Sequence, residues 1–205
     1  MQSFVLAVAS WQRIVLTALL ACCGWLAVAE VKANPLQVDF QDIDLKVKLA
    51  QNAQILEDAT GSRTLAEVQD DQRWNNFHAD ALNFAFSQSS WWIRVRLHNA
   101  QSHKASRILE VGSALQDQIE VYVVRAKNAR VEILATGDRR NFESRPVATR
   151  VPSLPLHFEP EEQVDVYFKM DTHDGLHEIV APMLWAVNTY TASMQLENLL
   201  YGLYY

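Results

Sequence analysis

The sequence predicts an all-β fold: a two-sheet sandwich or jelly roll. Three observations carry this. Apolar residues between Pro35 and about Tyr190 recur mostly with period two. Eight or so short runs of this kind follow one another at regular spacing. Turn-forming residues sit between the runs. One domain of single-core size accommodates them.

In chain order, Leu36, Val38 and Phe40 alternate with polar neighbours, and so do Leu45, Val47 and Leu49. The clearest run is Trp91–His98. Trp91, Ile93, Val95 and Leu97 share one face, and Trp92, Arg94, Arg96 and His98 share the other. Further strands are expected over Arg107–Val111, Gln118–Arg125, Val131–Ala135, Leu154–Phe158 and Val164–Met170. A last one covers Ile179–Trp185, where Pro182 indicates an edge position or a bulge. Turns are expected at Lys127-Asn128, Gly137-Asp138, Pro160-Glu161-Glu162 and Asp174-Gly175. Asp58-Ala59-Thr60-Gly61 reads as another turn, leading into a short helix from Leu65 with a Thr64/Glu67 capping box.

Both ends depart from this pattern. The first 29 residues hold one base, Arg13, then an apolar stretch and Ala27-Val28-Ala29. This reads as a secretory leader, residues 1–29; a retained anchor and a lipoprotein at Cys22 are the alternatives. Cys22 and Cys23 are the only cysteines, so cleavage leaves none for a disulfide framework or a cysteine zinc site. Residues 191–205 end on Leu199-Leu200-Tyr201-Gly202-Leu203-Tyr204-Tyr205. Two readings fit: a final element packed on the core, or the opening turns of a membrane helix.

Composition narrows the chemistry. A formal charge of −6 argues against nucleic acid. No phosphate loop or nucleophile motif is present, and paired acids such as Asp70-Asp71 read as solvated loops, so no enzymatic activity and no cofactor is expected. His173 and His177 flank Gly175 in a loop rather than a helix, so no metal is expected. The strongest candidate site is the face bearing Trp92, Arg94 and Arg96, to which Arg145 from a later arginine-rich loop is added. A flat indole beside guanidinium groups stacks a sugar ring or pairs with an acid. On this reading Trp92→Ala removes binding and leaves the fold intact. The alternative is that these arginines pair with the surplus acids on a solvent-facing sheet.

The order of motifs then resembles a known family. The residues are Leu56-Glu57-Asp58 with Gly61 and Leu65, Trp92–Asn99, Leu109-Glu110, Gln118–Tyr122, Gly137-Asp138 and Arg145-Pro146. Leu154-Pro155-Leu156, Val166-Tyr167-Phe168 and Ala181–Trp185 continue it. Together they resemble the periplasmic sensory domain, extracellular type two, of the 7TMR-DISM receptors. The resemblance implies a jelly-roll β-sandwich like that of carbohydrate-binding modules, outside the membrane, residues 30–190, feeding a seven-helix bundle and a cytoplasmic histidine kinase or diguanylate cyclase. It turns the tail into the start of the first membrane helix. It implies a periplasmic location on a bacterial inner membrane and a carbohydrate-like or small acidic ligand. A non-catalytic module that dimerises or docks a partner, and a secreted glycan-binding protein, remain the other functional readings.

Overall fold

The computed structural model describes residues 34–126, 130–178 and 180–204. The expected leader, residues 1–29, lies outside the described residues. Two sheets pack face to face, as the alternation predicted. The larger joins β3 (Gln54–Asp58), β4 (Asn75–Asn76), β5 (Ser90–Asn99), β7 (Gln118–Arg125), β8 (Arg130–Thr136) and β10 (Gln163–Asp171) in the order β4-β3-β5-β10-β7-β8. β1 (Gln37–Phe40) adds to it by pairing in parallel with the second half of β5. The smaller sheet runs β2-β11-β6-β9, from Lys46–Lys48, Met183–Ala186, Ala105–Glu110 and Ser153–Phe158. From β5 onward the chain crosses between sheets at almost every step, which is the jelly-roll habit.

The core lies between the sheets. Ile93, Val95 and Leu97 of β5 meet Val121 and Val123, Val164, Val166 and Phe168, and from the other sheet Leu109, Leu156, Phe158 and Leu184. Phe40 packs edge-on to Phe158 at 4.9 Å. These side chains are almost wholly removed from water, the dominant favourable term in such a fold.

Local chemistry sets the connections. Thr64 caps α1 (Leu65–Gln69) in a complete capping box with Glu67. Asp58 accepts from the backbone N–H groups of Thr60, Gly61 and Arg63, and Gly61 takes φ +65°. Gly112, φ +92°, lies directly on the backbone of Ala181.

Two expectations change here. Pro182 marks neither an edge nor a bulge: β11 is an inner strand, between β2 and β6, and begins just after the proline. The Pro182 carbonyl accepts from Leu49 N–H instead. The tail is helical from Val187, before the expected boundary at residue 191, and α2 (Val187–Tyr204) doubles back across the outer face of the small sheet. Tyr190 packs on Trp185 and Ile108, and Met194 joins the same cluster. Tyr190 and Ser153 hydroxyls lie 2.8 Å apart, and Tyr190 Oη donates to Thr149 Oγ1 at 3.2 Å. Farther along, Arg150 pairs with Glu197. Among the described residues, no helix is long and apolar enough to cross a membrane.

Candidate functional site

The outer face of the large sheet is built from rows of directly opposed residues. One row reads Gln54, Arg94, Tyr167, Tyr122, Ile133, and the next Leu56, Trp92, Lys169, Glu120, Ala135. Period-two reading placed Trp92, Arg94 and Arg96 correctly on this face. It did not reveal what covers them. The segment from the Asp58 turn to Asn75 folds over the β3 side, and Val68 and Trp74 close a second apolar cluster with Leu56, Trp92 and Tyr167.

Trp92 is therefore completely buried and offers no ring face to a ligand. It stacks on Tyr122 at 5.6 Å, with Lys169 Nζ 5.7 Å from its ring. Arg94 is 1% exposed. Its Nε donates to Gln54 Oε1 at 2.8 Å, and its guanidinium lies 4.3 Å from the Trp74 ring. Burial draws its pKa down, while Tyr167 pulls the other way. Arg96 makes a bidentate pair with Asp165, at 2.6 and 2.8 Å. Arg145 is not brought to this face. It lies in the β8–β9 loop beside the small sheet, donating to the carbonyls of Thr149 and Arg150 over the Phe142 ring. In this conformation the four expected ligand residues thus act as a buried tryptophan, a buried arginine, an ion pair and a loop tie.

The open concavity of the large sheet lies next to that covered cluster. A groove of about 610 Å³ is lined by Leu56–Thr60, Ser62, Arg63, Glu67, Arg73 and Asn75. That is the size of a small-molecule site. Arg63 and Arg73 converge on Asp71 from two sides, and Arg73 binds it through Nε and Nη2. Arg73 is mostly exposed, whereas Asp71 is nearly buried. Arg63 Nη1 is hidden from solvent with no hydrogen-bond partner among the described residues. Glu57, Glu67, Thr60, Ser62 and Asn75 line the same concavity, so it offers guanidinium donors beside carboxylate, hydroxyl and amide groups. The sequence held two pointers to it. The Asp58–Gly61 turn and Thr64/Glu67 box were legible, but the pairing of residues 63 and 71 depends on how the segment folds over.

Arg73's hydrogen bonds, more than any other contact, hold the Asp71 carboxyl far below the usual carboxylate range; burial opposes them, and Arg63 adds to them. Burial pushes Asp58 up, but donors from Thr60 and Arg63 outweigh it and its pKa is also lowered. Carboxyls depressed in the folded state contribute stability that is complete above an unfolded pKa of about 4. That stability drains away as pH falls through the depressed values. Thermal melts between pH ~7 and ~2 are expected to show this acid loss. Asp71→Asn is expected to flatten it, and an unchanged profile would remove Asp71 from the account.

The 7TMR-DISM extracellular 2 family matches residues 50–184. No curated protein matches the chain. Among solved structures, the chain is similar to a native family 35 carbohydrate binding module from Clostridium thermocellum. That match has 9% identity and a TM-score of 0.33, over 69% of this chain and 98% of that one. It is also similar to an exo-β-1,3-galactanase from Phanerochaete chrysosporium with galactose, at 10% identity and TM-score 0.29, over 68% of this chain and 28% of that one. Likenesses this distant carry no argument about what the present chain binds.

Proposed function

The chain belongs to the 7TMR-DISM extracellular 2 family, and from that premise we propose that it is the ligand-sensing outer domain of a bacterial inner-membrane receptor. The observation that carries this is the extent of the match. It spans β3 to the start of β11 and takes in the whole Arg63–Arg73 groove. In this proposal the domain is periplasmic and non-catalytic, and a kinase or diguanylate cyclase output belongs to the other side of the membrane. The ligand is carbohydrate-like or a small acid. It sits in the groove, with Arg63 and Arg73 donating to an acidic or hydroxyl oxygen. Binding favours one arrangement of the domain, and α2, locked to the small sheet by Tyr190, carries the difference away.

A thermal-shift panel of neutral sugars, uronic acids and small dicarboxylates tests this. At least one class is expected to raise the melting temperature. Arg73→Ala is expected to weaken that ligand about tenfold or more, the scale of a charged hydrogen bond. Because Arg73 also holds the nearly buried Asp71 carboxylate, the variant is expected to melt below the parent, and affinity is compared at a temperature where circular dichroism shows both folded. A ligand that still binds Arg73→Ala at full strength places the site elsewhere.

One observation favours a second reading, a partner-docking module. Among the described residues β8 is a sheet edge with one neighbour, and Val131 and Ile133 on it are exposed. A panel that shifts nothing, together with a dimer in light scattering, would support that reading over a ligand sensor.

A further inference from the structure

One end of the sandwich carries large apolar side chains that the core does not use. Phe86 is 80% exposed, Leu115 64% and Leu176 41%. They come from three different loops: β4–β5, β6–β7 and β10–β11. The loops are tied into one platform. Phe86 and Leu176 face each other across a β-bridge, with Ser87 N–H on Gly175 O and His177 N–H on Ala85 O. Gln116 fastens the third loop, donating to Asp171 O at 2.6 Å and accepting from Glu178 N–H. Ala85 holds φ +50°, outside the range most residues prefer, immediately before the protruding Phe86. The next turn, Gly137–Arg140, joins this platform through Asp138 N–H on Gln116 O and exposes Asp138, Arg139 and Arg140, with Arg139 Nε 4.0 Å from Asp117 Oδ1.

α2 leaves the domain at this same end. It starts beside Arg107, passes Met183 and Ser153, and reaches the β8–β9 loop, where Arg150 meets Glu197 and lies 5.8 Å from the Tyr201 ring. Its last turns expose Leu196, Leu199, Leu200, Leu203 and Tyr204. They fall at the i, i+3, i+4, i+7, i+8 spacing of one apolar stripe, the pattern of a helix that lays one face on an interface.

We propose that the platform of Phe86, Leu115 and Leu176 seats the domain on the bilayer surface, with Arg139 and Arg140 on the phosphate headgroups. This rests on the receptor reading and goes beyond it, because it fixes which end of the sandwich faces the membrane. The apolar tips enter the headgroup boundary beside the emerging helix, and the arginines meet the anionic surface. The opposite end, with Lys104 in the β5–β6 turn, faces away.

The test uses the full chain carrying Cys22→Ser and Cys23→Ser. Single cysteines replace Phe86, Lys104 or Leu203 and carry an environment-sensitive fluorophore. Vesicles of phosphatidylethanolamine with phosphatidylglycerol are the probe. Labels at 86 and 203 are expected to shift to the blue on vesicles, and the label at 104 to stay aqueous. A shift at 203 with none at 86 overturns the proposal: the helix then meets lipid and the platform does not. The absence of a shift at both positions overturns it as well. Independently, Phe86→Ser with Leu115→Ser and Leu176→Ser is expected to lower vesicle affinity about tenfold or more. All three positions are exposed, so folding should be spared, as circular dichroism would verify. Unchanged affinity also overturns the proposal. The receptor reading is tested separately by the ligand panel, so either can fail alone.

Discussion

Trp92→Ala is expected to lower stability by about 3–5 kcal/mol, the usual cost of emptying a buried tryptophan site. The ring is wholly enclosed by Leu56, Val68, Trp74 and Tyr167 and stacks on Tyr122, so its loss leaves a cavity under the residue 58–75 cover. For a domain of this size, that is a fall of roughly 6–20 °C in melting temperature. Chemical denaturation and near-UV dichroism would measure it. A variant that melts like the parent while losing a ligand would instead restore Trp92 as an exposed stacking platform. The outcome therefore decides between the face read from periodicity and the covered cluster found in the structure.

Gly112→Ala is expected to be comparably damaging, on the order of 3 kcal/mol or more. A Cβ at residue 112 would lie 2.4 Å from the backbone carbon and oxygen of Ala181, and φ is +92°. Backbone cannot swing aside as a side chain can, so the β6–β7 and β10–β11 loops would have to separate. The neighbouring Leu115 and Leu176 would separate with them, so fluorophores at these two positions should report the change. Parental stability would show that the loops move apart freely.

Much of the fold was legible because β5 announces itself. The alternation over Trp91–His98, with Ile93, Val95 and Leu97 facing inward, fixes one sheet and its inner face. β3 escaped notice for the opposite reason. Its ends, Gln54 and Asp58, are polar yet buried. Gln54 bonds Arg94 and Asn76, and Asp58 collects the N–H groups of its turn. Alternation assigns residues to faces, but it says nothing about a distant segment folding over one of them. That is why Trp92 and Arg94 looked available. Arg96 followed the simpler alternative, pairing with a surplus acid, Asp165. Arg145 was joined to them by residue type alone, and spacing in sequence carries no information about which sheet a loop serves. The Arg63–Asp71–Arg73 groove needed the register of β3 with β4 and the folded cover, both set by contacts far apart in sequence.

The reversal of α2 has a mechanical consequence. The helix doubles back over the outer face of the small sheet, where Tyr190 ties its first turn to Trp185 of β11, Ile108 of β6 and Ser153 of β9. A pull on its far end is therefore resisted by three strands at once rather than by one, and the domain and the helix move as one piece.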